Sequence, residues 1–210
     1  MAVYGTILCL GDSLTHGARD EYYRCYPMEL SDLLGKIFGQ DWVCAEEGVN
    51  GETSADILRR SLSVVKRYPE AYEMILLCGM NDTKDSVATP PEVYRRNVEG
   101  IIRNARVYGK ETILCTIPDL RGFGAPDYSQ ESAKRLKQFN RVVEEIAEER
   151  ALVLVDLRGM GPECYADGVH LTNAGNREVA RRIAVEIIAK RGFDLGEELK
   201  KIVKSEDPSA

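Results

Sequence analysis

Thr6-Ile7-Leu8-Cys9-Leu10 runs directly into Gly11-Asp12-Ser13-Leu14, and the reading of this junction decides the fold. Five β-prone or apolar residues without polar alternation describe a strand covered on both faces, as in a parallel sheet. The Gly-Asp-Ser that follows ends the strand in a polar turn. Four more strand-like runs lie at Trp42 to Ala45, Met74 to Cys78, Thr112 to Ile117 and Leu152 to Asp156. Between and after them, Pro27 to Phe38, Ser54 to Arg67, Pro91 to Tyr108, Ser132 to Arg150 and Asn173 to Lys190 place apolar residues three and four apart, the helical period. Within the third of these, Glu92 to Val107 follows two prolines and ends close to Gly109, matching the rules for helix ends. Strands joined by helices pair in parallel, because a parallel crossover needs a dozen or more residues. The expected fold is therefore a three-layer α/β/α sandwich around a five-stranded parallel sheet.

One domain is expected over residues 1–195, with a polar tail over 196–210 whose ending, Lys204 to Ala210, frays. Pro118 to Gln130, with Gly122, Gly124 and Pro126 close together, reads as one long loop. The 34 acidic and 28 basic side chains give a formal charge of -6, which opposes nucleic-acid binding as a main role. No apolar run reaches the roughly 20 residues that cross a bilayer, and no charged leader precedes Val3 to Leu10, so a soluble, cytoplasmic protein is expected. The six cysteines contain no C-x-x-C pair and mostly sit in strand-like runs, as reduced core thiols do. Oligomeric state is not legible in these patterns.

Ligands of open parallel sheets bind beyond the carboxyl ends of the strands. There the chain places Gly11-Asp12-Ser13-Leu14, Gly48-Val49-Asn50-Gly51-Glu52-Thr53, Gly79-Met80-Asn81-Asp82 and Asp167-Gly168-Val169-His170. Acyl transfer needs a nucleophile, a base, a group that orients the base, and donors for the oxyanion. Ser13 can be the nucleophile; taken alone it reads equally well as a helix N-cap. His170 can take its proton while Asp167, three residues earlier, holds the ring, although Asp-Gly is also a frequent turn dipeptide. The rate is then expected to rise with pH as the histidine loses its proton. The Ser13 N–H, the Gly51 N–H and the Asn81 amide make three oxyanion donors, each of which singly has an ordinary turn or cap reading. Asp82 is expected to brace the loop that carries Asn81. His16 is a rival base without an obvious partner, Asp20 and Glu21 being the nearby carboxylates, and suits the rim of a site.

These residues resemble the SGNH hydrolases of GDSL type. Gly11-Asp12-Ser13-Leu14 matches the GDSL block, and Gly51, Gly79-x-Asn81-Asp82 and Asp167-x-x-His170 match the remaining blocks in order, over Thr6 to about Ala189. A lone GDSL is a weak signal; four ordered blocks on a βα framework are a specific one. The resemblance implies a flavodoxin-like sandwich with strand order 2-1-3-4-5. It also implies catalysis by Ser13, His170 and Asp167, an oxyanion hole of Ser13, Gly51 and Asn81 with Asp12 and Asp82 in support, and no metal or cofactor. The expected activity is hydrolysis of a small-molecule carboxylic ester with a small or medium acyl group. Thioester hydrolysis, acyl transfer to another alcohol, a non-catalytic binding module and a nucleotide-binding flavodoxin-like domain are the competing readings. The walls of the pocket are expected from Ala18 to Tyr26, Thr83 to Pro91 and Pro118 to Gln130, including Tyr22, Tyr23, Phe123 and Tyr128.

Overall fold

The computed structural model describes residues 5–22, 24–121 and 127–192. Tyr23, Phe123, the glycine-rich part of the long loop and the 196–210 tail lie outside the described residues.

Five strands, β1 (Gly5–Gly11), β2 (Trp42–Gly48), β3 (Glu73–Leu77), β4 (Glu111–Cys115) and β5 (Val153–Val155), form one parallel sheet in the order β2-β1-β3-β4-β5. Leu8, Cys9 and Leu10 in β1 and all of β3 are buried, as strands sheathed on both faces must be. Each fully buried leucine contributes about 1.5–3 kcal/mol. The helices are α1 (Ser13–His16), α2 (Tyr26–Phe38), α3 (Ser54–Arg67), α4 (Pro91–Val107), α5 (Gln130–Arg150) and α6 (Asn173–Lys190). On one side α2 packs against α6; α3 packs against α4, and α4 against α5, on the other. Tyr94 of α4 stacks on Phe139 of α5 at 4.3 Å between ring centroids. This is the expected three-layer, flavodoxin-like sandwich and strand order.

The element ends differ from the sequence expectation for local reasons. Strand β2 continues past Ala45 through Glu46 and Glu47, because its pairing with β1 runs on to the Gly11–Gly48 rung. Strand β4 stops at Cys115, opposite Val155, where β5 ends; the next hydroxyl, Thr116 Oγ1, accepts the N–H of Leu157 instead. Helix α5 begins ahead of its apolar period because the Ser129 hydroxyl and Ser132 form a capping box. The one-turn helix α1 is too short to leave a periodic signal.

Because β2 lies on one side of β1 and β3 on the other, the chain reverses its direction of travel across the sheet between β1 and β3. The loops leaving their carboxyl ends diverge there and open a crevice.

Candidate active site

The crevice holds a cavity of about 520 Å³ lined by Ser13, Gly51, Asn81, Asp167 and His170, together with Ala18, Arg19, Asn50, Lys84, Tyr128 and Val169. All five principal residues expected from the sequence are thus brought together from four separate loops.

Ser13 is the first residue of α1, directly after β1, and is only 5% exposed. The capping reading of this serine does not hold, because Asp12 is the N-cap and its Oδ1 accepts the Leu14 N–H at 2.9 Å. The Ser13 hydroxyl is therefore not spent on the helix. Asp12 is fully buried, and its Oδ2 has no hydrogen-bond partner among the described residues. Burial, opposed by the Leu14 N–H, pushes its carboxyl up to about 7.

That shift has a sign in stability. An unfolded aspartate loses its proton near pH 4, whereas Asp12 in the folded chain holds its proton to about pH 7. The stabilisation is complete below the unfolded value and is lost as pH rises through this window. Asp12→Asn keeps an oxygen for Leu14 and removes the titration. Its melting temperature, compared with that of the wild type, is expected to gain steadily between about pH 4 and pH 7. A constant difference across the window would mean that Asp12 ionises in the folded state without penalty.

Asp167 and His170 lie in the loop before α6, pinned by the antiparallel bridge Tyr165–Leu171 and by the Arg121 N–H, which donates to Gly168 O at 2.8 Å. The Asp167 Oδ1 accepts the N–H groups of Val169 at 3.1 Å and His170 at 2.8 Å, and its Oδ2 lies 2.8 Å from His170 Nδ1. The turn reading and the base-orienting reading of Asp-Gly are thus both satisfied by one carboxylate. Burial works against the Asp167 charge, but the hydrogen bonds from His170 and Val169 outweigh it and hold the carboxyl below its ordinary value. With Nδ1 turned to a carboxylate, Nε2 is the ring nitrogen left to accept a proton.

The donor side is equally constrained. Gly51 has φ +79°, a conformation that side-chain-bearing residues rarely adopt, and its N–H has no acceptor among the described residues. Asn81 opens a 3-10 turn (Asn81–Thr83) after β3, and its Nδ2 donates to Glu52 O at 2.9 Å, leaving a second amide hydrogen. Asp82 accepts the Ser54 N–H at 2.7 Å and the Ser54 hydroxyl at 2.6 Å, tying the start of α3 to the end of β3. It braces the Gly51 loop against the Asn81 turn rather than the Asn81 turn alone. The bend that brings Asn81 over the sheet depends on Gly79 at φ +118°, where a Cβ would stand 2.7 Å from Ile117 Cδ1 and 2.8 Å from Tyr94 Cε2.

Other expectations are corrected. His16 does have a partner, Glu46 near the end of β2, whose Oε1 lies 3.5 Å from Nδ1. The histidine lines a neighbouring depression that shares Ala18, Arg19 and Asn50 with the cavity. Asp20 does not orient it: its Oδ1 accepts the N–H groups of Tyr22 and Arg24, both at 2.9 Å. Tyr22 is not a wall of the cavity; it lines a separate surface depression with Arg24, Glu29 and Asp32. Tyr128 is a wall, as expected. Arg19 and Lys84 fall within the expected wall segments, but nothing in the sequence singled them out.

Comparison with known proteins bears on the fold and the family. Among solved structures, the fold is similar to a carbohydrate acetylesterase from Sinorhizobium meliloti, with TM-score 0.75 and 17% identity over 89% of this chain and 99% of that one. It is also similar to the M. smegmatis aryl esterase, with TM-score 0.75 and 18% identity over 89% and 99%. An acetyl xylan esterase from Geobacillus stearothermophilus aligns with TM-score 0.71 and 21% identity over 89% and 96%. No curated protein matches the sequence. Among the described residues, no helix is long and apolar enough to cross a membrane. The model of the GDSL-like lipase/acylhydrolase family matches residues 9–178, a span that includes Ser13, Gly51, Asn81, Asp167 and His170, and the chain belongs to that family.

Proposed function

We propose that this ester hydrolase removes small or medium acyl groups, acetyl foremost, from a soluble alcohol or sugar through an acyl-enzyme on Ser13. The observation that carries the reading is the convergence, in one cavity, of an uncommitted serine, a histidine held by a carboxylate, and three donors. His170 takes the proton from the Ser13 hydroxyl as its oxygen attacks the carbonyl carbon. The tetrahedral oxyanion accepts hydrogen bonds from the Ser13 N–H, the Gly51 N–H and the Asn81 amide. Collapse breaks the ester bond, and the alkoxide leaves with the proton held by His170. Water then attacks the acyl-enzyme with His170 as base, restoring Ser13 and releasing the acid.

The small-acyl preference is supported by the described lining residues, among which Ser13, Ala18, Asn50, Gly51 and Asn81 are short and only Tyr128 and Val169 offer larger apolar surface. The acetylesterase names of two structural neighbours agree with it. The six buried, unpaired cysteines support a reducing compartment such as the cytoplasm.

A p-nitrophenyl ester series from acetate to long acyl chains tests this reading. Rates are expected to be highest for the shortest acyl groups, and a steady climb to long chains would overturn the small-acyl assignment. With acetate as substrate, Asn81→Ala is expected to lower kcat by roughly 10²–10³-fold. A negligible loss would remove Asn81 from the oxyanion hole.

A further inference from the structure

The mouth of the catalytic cavity carries positive charge that the proposed reaction does not use. Lys84 and Arg19 both line it, in a chain whose formal charge is -6. Among the described lining residues only Asp167 is acidic, and its oxygens are engaged by His170 and Val169.

Lys84 directly follows the turn that begins at Asn81 and is half-buried. Its ammonium lies 5.9 Å from the centroid of the buried Tyr128 ring, a cation–π distance. Among the described residues it has no carboxylate within ion-pair distance. Its charge acts on buried Asp12, whose Oδ2 lacks a hydrogen-bond partner among the described residues, while three other acids near it in the fold have partners of their own. Asp82 accepts from Ser54, Asp85 pairs with Arg135 and accepts from Ser132, and Asp127 accepts from Ser86. Arg19 is held at φ +72°, a region uncommon for residues other than glycine, with its Nε 4.0 Å from Asp167 Oδ2 and most of its side chain exposed. An ammonium fixed against a ring, with no ion-pair partner among the described residues, attracts an anionic group more strongly than a freely solvated lysine does, because part of its hydration is already lost.

We propose that Lys84, with Arg19 across the same mouth, selects esters that carry a carboxylate, so that the physiological substrate is an anionic ester. The inference rests on the reading that Ser13 cleaves esters in this cavity.

Two matched pairs of esters test it. Para-acetoxybenzoate and its methyl ester place or remove a charge on the alcohol; phenyl hydrogen succinate and its methyl ester do so on the acyl group. In at least one pair, after correction for hydroxide-catalysed reactivity, the anion is expected to show kcat/KM about ten-fold above its neutral partner. Added salt is expected to compress that ratio. Lys84→Gln is expected to abolish most of the preference, Lys84→Arg to retain it and Lys84→Glu to reverse it. A ratio near one in both pairs, or a ratio that Lys84→Gln leaves unchanged, overturns charge selection. Enzyme whose Ser13 is labelled by a fluorophosphonate but which favours no anion overturns this inference alone. Absence of both labelling and turnover overturns the esterase reading and this inference with it.

Discussion

Ser13→Ala is expected to lower kcat for acetate ester hydrolysis by about 10⁴-fold or more, with the fold intact. The loss is large because the serine supplies the bond-forming atom; the donors that remain can polarise the carbonyl but have nothing to deliver to it. Structural damage is expected to be small. The α1 helix is capped by Asp12, not by Ser13, and alanine is a good residue at the first position of a helix. Circular dichroism and melting temperature, measured on the same preparation, separate loss of chemistry from loss of structure. An alanine variant that keeps even a tenth of wild-type turnover would be incompatible with a Ser13 nucleophile.

The second large effect is expected at the base. His170→Ala should cost about as much as Ser13→Ala, and the double variant little more than either, because the two residues act as one unit. Asp167→Asn is expected to cost up to about 10⁴-fold in kcat while leaving KM much less affected. The asparagine would still accept the Val169 and His170 N–H groups through its oxygen, but would present an amide, not a carboxylate, to His170 Nδ1. That amide favours the tautomer with its proton on Nε2, the nitrogen that must accept from Ser13. If the costs of Ser13→Ala and His170→Ala instead multiplied in the double variant, the residues would be acting independently and His170 would not be the base.

Where the sequence was informative, it was so for identifiable reasons. The uninterrupted Ile7-Leu8-Cys9-Leu10 and Met74-Ile75-Leu76-Leu77 runs read as strands covered on both faces, and both are buried on their two faces. Their polar successors then had to meet at one end of the sheet. Asp167 and His170 were legible as a pair because the hydrogen bonds that join them are local, spanning three residues. The partner of His16 was not, because Glu46 lies thirty residues away and reaches it only through the β1–β2 register. Tyr22 was misplaced because loop composition says which residues surround a site but not where each side chain points. Its backbone N–H is fixed by Asp20, and its ring lines a different depression. The capping role of Asp12 was hidden for a similar reason: nothing in Gly-Asp-Ser-Leu decides which of two adjacent polar residues takes the N-cap.

Covalent labelling of Ser13 tests the central claim most directly. The intact protein, treated with an alkyl fluorophosphonate, is weighed by mass spectrometry, digested and mapped, beside Ser13→Ala and a heat-unfolded control. A single phosphonyl adduct on the Ser13 peptide is expected, with none in the alanine variant or the unfolded chain. An adduct on another residue, or none on folded protein, would contradict a serine made nucleophilic by its place among Asp12, Asp167 and His170.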